Sequence, residues 1–201
     1  HTTPPAFSRT QDNHGPVRHA NLGVLAEEFR TLAAVRHPHV ISVLDYGFDP
    51  DRQPFYTMEL LQNAQSLLRF SQDRPAAEQI ELLIQLLYAL AYLHRRGIVH
   101  RDLSPSNVLV VPGPEGPLVK VVDFGLAVDA DRAGRVAAVG TPLYMAPELY
   151  RGEPASASSD LYAVGAMAYR MLTGRSVFET LHGTTPLIQQ VLRGRPDLSP
   201  L

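Results

Sequence analysis

The stretch His100-Arg101-Asp102-Leu103-Ser104-Pro105-Ser106-Asn107, with Asp123-Phe124-Gly125 following further along, decides how this chain is read. Between the two lie short β-branched runs, Val108 to Val111 and Leu118 to Val122, joined by Pro112-Gly113-Pro114-Glu115-Gly116. That pattern predicts a hairpin with a loop. A hairpin returns its far end to its start, so Asn107 and Asp123 come to one edge. An amide oxygen and a carboxylate there can hold Mg²⁺ through oxygen ligands, and a second carboxylate, Asp102, is left to orient a hydroxyl nucleophile. Phosphoryl transfer needs that division of labour, because its catalysis is mostly positioning and charge neutralisation. Taken singly, Asp102 and Asn107 read as turn residues and Asp123 as a cap after a strand. Taken together they do not, since His-Arg-Asp-x-x-x-x-Asn arises by chance at roughly one start in 10⁵.

Composition sets the outer bounds. The chain has 201 residues, 45% apolar and 19% charged, which is globular usage and room for one substantial core. A net charge of -2, scattered arginines and a single lysine, Lys120, offer no basic stripe for nucleic acid. There is no cysteine, which excludes disulfides and thiolate zinc sites. The richest apolar stretch, Ile80 to Leu93, is interrupted by Glu81 and Gln85 and reads as too short to span a bilayer, so no membrane insertion is expected in this segment. The chain opens on His1 without a leader and is read as starting inside a longer protein.

His1 to Arg18 reads as a loop, and Asn21 to Arg36 as a helix closed by His37-Pro38. Two strands are expected at Val40 to Tyr46 and Pro54 to Leu60. Ala76 to Arg96 is apolar nearly all round and predicts a buried helix ending at Gly97. Ala127 to Gly140 has no period and is expected to be mobile. A further apolar helix runs from Asp160 to Leu172, with Ser158 or Ser159 as its N-cap and Gly174 as its stop. This order predicts an α+β fold with a small strand-bearing part and a larger helical part.

With these motifs in this order the chain resembles the eukaryotic-type protein kinase family, in a bacterial Ser/Thr variant, from about Ala20 to about Phe178. The resemblance implies a two-lobe fold, with residues 1–60 as a remnant of the N-lobe (loop, helix C, strands 4 and 5) and 61–201 as most of the C-lobe. By the same resemblance Asp102 is the catalytic base and Asn107 and Asp123 are the metal ligands. Gly140 to Glu148 is then the substrate-receiving loop with its Ala-Pro-Glu anchor, and Thr141 stands beside Asp102. Glu28 falls where the family keeps the glutamate that pairs with the ATP lysine, a solvent-face charge being the alternative. Leu32, Leu44, His100 and Phe124 would form the family's apolar spine, although ordinary core packing predicts the same burial. Met58 would be the gatekeeper, the backbone of Glu59 and Leu61 would face the adenine, and Leu109 would close that pocket from below. Asp160 would tie down the backbone of the catalytic loop, and Arg101 would be where an activation-loop phosphate docks. The implied cofactors are ATP and Mg²⁺ or Mn²⁺, the implied partner is a protein with a Ser or Thr acceptor, and the implied location is the cytoplasm. Regulatory domains are expected elsewhere in the parent chain.

The pattern also has gaps. No Gly-x-Gly-x-x-Gly and no lysine strand precede Glu28, and Lys120 lies three residues from Asp123 on a strand, so the two point to opposite faces and Lys120 cannot reach the phosphates. Truncation at both ends is the expected explanation. Ser104 stands where most Ser/Thr kinases carry a lysine on the γ-phosphate, and a serine brings a hydrogen bond without charge. Glu148 is expected to lack the arginine the family gives it, which is costly for a buried carboxylate. A scaffold module without catalysis is therefore the alternative function. A small-molecule kinase is disfavoured, because it would not need the Thr141 to Glu148 segment.

Overall fold

Strands β4 (Val108–Gly113) and β5 (Gly116–Val121) form the predicted hairpin, in register from Val108 opposite Val121 to Gly113 opposite Gly116. The computed structural model describes residues 33–50, 54–123, 141–178, 184–194, 196 and 198–199. The turn is tighter than expected, with only Pro114 and Glu115 between the strands. Gly116 makes this possible, because its φ of 132° lies in a region that side chains disfavour.

The two-residue strand β3 (Gln65–Ser66) adds to β4 through Gln65 opposite Val110 and Ser66 opposite Leu109. A separate antiparallel pair, β1 (Val43–Phe48) and β2 (Pro54–Met58), has an irregular register between Val43 and Asp45. Both strands are shorter than expected at the end where they meet β5. Residues 39–41 turn to that strand instead: Ile41 N–H donates to the Val121 carbonyl and Val121 N–H to the His39 carbonyl, each at 2.9 Å. Strand alternation buries Val43 and puts Leu44 on the opposite face, where it is 65% exposed. A spine through Leu44 therefore does not form as expected, and its other members Leu32 and Phe124 lie outside the described residues.

Helices α1 (Leu67–Ser71) and α2 (Ala76–His94) follow β3. Helix α2 stops two residues sooner than expected, as Gly97 at φ 73° turns the chain and Ile98 N–H caps the Leu93 carbonyl at 3.1 Å. It is not buried all round. Leu82, Leu86, Ala89, Leu90 and Leu93 face the core, whereas Ile80, Ile84, Leu87 and Tyr88 are exposed. At 19 residues it is long and apolar enough to cross a membrane by composition, contrary to the reading from sequence. Its packing against β5 and against α4 (Ala157–Thr173) gives it the place of a core helix.

Helix α4 begins three residues before Asp160. Its N-cap is Ser156, whose side chain accepts from Ser159 N–H while the Ser159 hydroxyl accepts from Ser156 N–H, a reciprocal cap. Ser159, read from sequence as a candidate cap, is instead the second half of that box. Gly174, at φ 70°, ends the helix as predicted. Short α3 (Pro147–Tyr150) precedes α4, and α5 (Thr184–Arg193) follows it. One apolar cluster runs from Val35 and Val40 through α2 and the hairpin to Met167 of α4. Among the described residues the strands lie within 43–66 and 108–121 and the α-helices at 67–71, 76–94, 147–150, 157–173 and 184–193, the expected α+β division.

Candidate active site

His100 to Asn107 leaves the end of α2 and is pinned from below. The Asp160 carboxylate, buried near the start of α4, accepts the His100 N–H at 2.9 Å through Oδ2 and the Arg101 N–H at 3.1 Å through Oδ1. His94, the last residue of α2, donates from Nε2 to Oδ2 at 2.7 Å. Three donors thus compensate a buried anion that would otherwise be costly. They also hold Arg101 at φ 72°, a conformation that costs a non-glycine residue about 1 to 3 kcal/mol.

His100 points inward and is almost wholly buried. Its Nε2–H donates to the Val122 carbonyl at 3.0 Å, leaving Nδ1 as a buried acceptor without a hydrogen-bond partner. Burial pushes the imidazole below its ordinary range, outweighing the opposing pull of Asp160. His100 is therefore a neutral bolt between the 100–107 loop and the residue before Asp123.

Asn107 closes the short turn Pro105–Asn107 and joins three groups. Its Nδ2–H donates to the Asp102 carbonyl at 2.9 Å, and its own carbonyl accepts Val122 N–H at 3.0 Å. Asn107 and Asp123 thereby lie at the open edge of the hairpin, as the sequence predicts, and the Asp102 backbone is bonded to the first of them. With its amide nitrogen turned to Asp102, the Asn107 Oδ1 is directed elsewhere, and the Ser106 hydroxyl approaches it at 3.5 Å. Asp123 is exposed, sits at φ 56° and accepts from the Tyr56 hydroxyl at 3.4 Å through Oδ1. Burial first, then the Asp123 charge, pushes the Tyr56 phenol up to about 12, so it stays a donor. Among the described residues no cluster of three or more His, Cys, Asp or Glu could cage a metal. One amide and one carboxylate oxygen nevertheless fit a hard cation such as Mg²⁺, which keeps waters and takes phosphate oxygens for the rest of its shell.

Ser104 is buried, and its hydroxyl lies 2.8 Å from that of Ser106. Met58 ends β2 opposite Val43, while Leu61 and Leu109 are partly buried against the core. Glu28 lies outside the described residues. Thr141 opens the turn Thr141–Tyr144, with its side chain outside the description. A small cleft lined by Arg101, Asp102, Tyr144, Met145 and Leu149 joins the catalytic loop to this segment. Tyr144 is fixed there by Arg170, and the Tyr150 hydroxyl donates to the Pro142 carbonyl at 2.6 Å.

Two contacts escape the sequence reading. Glu148, expected to lack a partner, accepts the Ser159 hydroxyl at 2.6 Å, so the α4 cap also anchors the Ala-Pro-Glu segment. Glu59 pairs with Lys120: Nζ meets Oε1 at 2.7 Å, and the same oxygen accepts Ser42 N–H at 3.0 Å. The alternation that turned Lys120 away from Asp123 was the available signal, but its acceptor is 61 residues distant.

The sequence pattern of the protein kinase domain matches residues 12–195. The chain is 37% identical over 197 residues to serine/threonine-protein kinase Pkn1 of Myxococcus xanthus, covering 91% of this chain and 28% of that protein. It is 39% identical over 165 residues to pkn3 of the same organism, covering 76% and 30%. Against the DNA damage-responsive serine/threonine-protein kinase RqkA of Deinococcus radiodurans it is 38% identical over 178 residues, covering 85% and 26%. It thus spans less than a third of the length of these relatives. Over that length, the chain belongs to the protein kinase domain family.

Proposed function

We propose that this protein is a cytoplasmic serine/threonine kinase that transfers the γ-phosphoryl group of ATP to a hydroxyl of a protein substrate. The observation that supports the reading is Asn107: its side chain is bonded to the Asp102 carbonyl and its backbone to Val122, the residue before Asp123, which ties the Asp102 backbone to that hairpin edge. Nucleotide and Mg²⁺, when bound, supply the phosphoryl group and the charge neutralisation. Asn107 Oδ1 and the Asp123 carboxylate would hold the metal. Asp102 would accept the proton of the incoming hydroxyl and aim its oxygen. Residues 1–60 then contribute to the small lobe and 61–201 to the large one, with Met58, Glu59, Leu61 and Leu109 around the adenine and regulatory segments elsewhere in the parent chain.

The full-length protein should transfer radiolabel from ATP to a generic basic protein in the presence of Mg²⁺ or Mn²⁺. Asp123→Asn should abolish this metal-dependent activity, and Asp102→Asn should cut turnover while nucleotide affinity stays similar. Ser104 in place of a lysine favours a second reading, a scaffold without catalysis. A full-length protein that binds partners but transfers no phosphate would establish that alternative.

A further inference from the structure

Lys120 is the chain's single lysine, it is only 8% exposed, and nothing in the proposed chemistry uses it. Its side chain runs from β5 to Glu59, the first residue after β2. Glu59 is held at three points: its N–H donates to the Ser42 carbonyl at 3.0 Å, while Oε1 accepts both Ser42 N–H and Lys120 Nζ. The carboxylate therefore continues the β1–β2 pairing past its last strand residue and fastens it to β5.

The fastening matters because of what lies on either side. After Glu59 the chain runs through residues 60–64 without helix or strand until β3, and Leu60 is exposed. Lys120 precedes Asp123 by three residues on the strand whose partner carries Leu109, the residue directly opposite Lys120. The pair thus joins the connection between the two sheets to the floor beneath it. Burial would raise the Glu59 carboxyl, but the Lys120 and Ser42 hydrogen bonds outweigh it and hold the group below its ordinary value. Burial, with a smaller contribution from the Lys120 charge, lowers His37 and His39 below their ordinary value.

We propose that Lys120 is a positioning residue for the adenine subsite: through Glu59 it fixes the backbone path of residues 59–61 against β5. This rests on the kinase reading above. In the full-length protein Lys120→Met should raise the KM for ATP and weaken binding of a fluorescent ATP analogue by about tenfold, the loss expected from one charge-assisted hydrogen bond. Turnover at saturating ATP should change far less. Lys120→Arg should restore most of the affinity, because a guanidinium can still reach a carboxylate. Amide hydrogen exchange at residues 59–61 should speed up in Lys120→Met and recover in Lys120→Arg. Should Lys120→Met fail to fold, Glu59→Gln, which keeps an oxygen for Ser42 but loses the charge, should show the same affinity loss and faster exchange. Unchanged analogue affinity with unchanged exchange at 59–61 in a folded variant would overturn the proposal, as would a fall in turnover with ATP affinity intact. If the unmutated full-length protein bound no nucleotide, the kinase reading itself would fall, and with it the subsite role. The exchange data would then report on the tether alone.

Discussion

Asp160 holds Arg101 in a left-handed backbone conformation from a different helix, its Oδ1 accepting the Arg101 N–H at 3.1 Å while Arg101 sits at φ 72°. The strain is local, but the group that sustains it comes from α4, so the catalytic loop and the large helical layer stand or fall together. Removing the carboxylate should release Arg101 and uncover the His100 N–H at once. Asp160→Ala is expected to destabilise the protein by about 3 to 5 kcal/mol, the range for breaking a buried charged network. Asp160→Asn, which keeps one oxygen acceptor, should lose less. Urea unfolding of the two variants checks the order, and equal losses would assign the effect to packing alone.

A second expectation concerns pH. His37, His39 and His100 all lie below the ordinary histidine value of 6.5, chiefly because burial disfavours the charged ring. In His100 the cause is visible, since protonating Nδ1 would bury a donor with nothing to receive it. The unfolded chain takes up protons near 6.5 that the folded chain refuses, so stability from these groups is complete above that pH and erodes below it. Glu59, held below 4.5, adds a further loss at lower pH. The melting temperature should therefore fall between about pH 7.5 and about pH 5.5. His39→Asn should flatten part of that slope, and a pH-independent melting temperature would contradict it.

The hairpin and the loop before it were legible because their signals are local. Turn residues between β-branched runs return the chain on itself, and the meeting of Asn107 with the Asp123 end follows from that return. Gly97 and Gly174 mark helix ends by the same kind of local rule. What sequence did not disclose depends on partners far away in the chain. Strand ends near residues 40 and 60 were misplaced because residues 39–41 bond to β5, and a competing strand is invisible to a local window. Helix α2 looked apolar on every side, yet which side faces the core is decided by β5 and α4. Glu148 was expected to miss an arginine, and a serine from the α4 cap meets it instead.

Ser104 offers a test of how charge is managed at the site. Its backbone is extended, at φ -150° and ψ 166°, a conformation that lysine adopts as readily as serine. An ammonium will not stay in the dry position of the hydroxyl, and the Asp102 and Asp123 carboxylates attract it outward. Ser104→Lys in the full-length protein should raise turnover by about tenfold or more, as one added charge-assisted contact to the transferring group would. The lost bond to Ser106 should lower the melting temperature by only a few degrees, roughly 1 kcal/mol. Turnover that stays the same would mean that charge neutralisation is already sufficient without a lysine.

Control by phosphorylation is the last expectation, and it turns on Arg101. In the family an arginine at this place docks a phosphate of the activation loop and so orders the loop. Here Leu126 to Gly140 contains no Ser, Thr or Tyr to carry such a phosphate. The first hydroxyl is Thr141, which the resemblance sets beside Asp102, where a dianion would repel the catalytic carboxylate. Asp129 and Asp131 stand in the same stretch as permanent carboxylates. Were either to pair with Arg101 at the surface, the pair would be worth only about 0 to 1 kcal/mol. The 100–107 loop does not wait for a phosphate, because Asp160 already fixes the Arg101 backbone. On the proposed function, the full-length protein is therefore expected to be active without loop phosphorylation. Activity measured before and after phosphatase treatment, with mass spectrometry of the 126–141 segment, checks this. Activity lost on dephosphorylation and traced to a phosphate on Thr141 would show that the loop is switched after all.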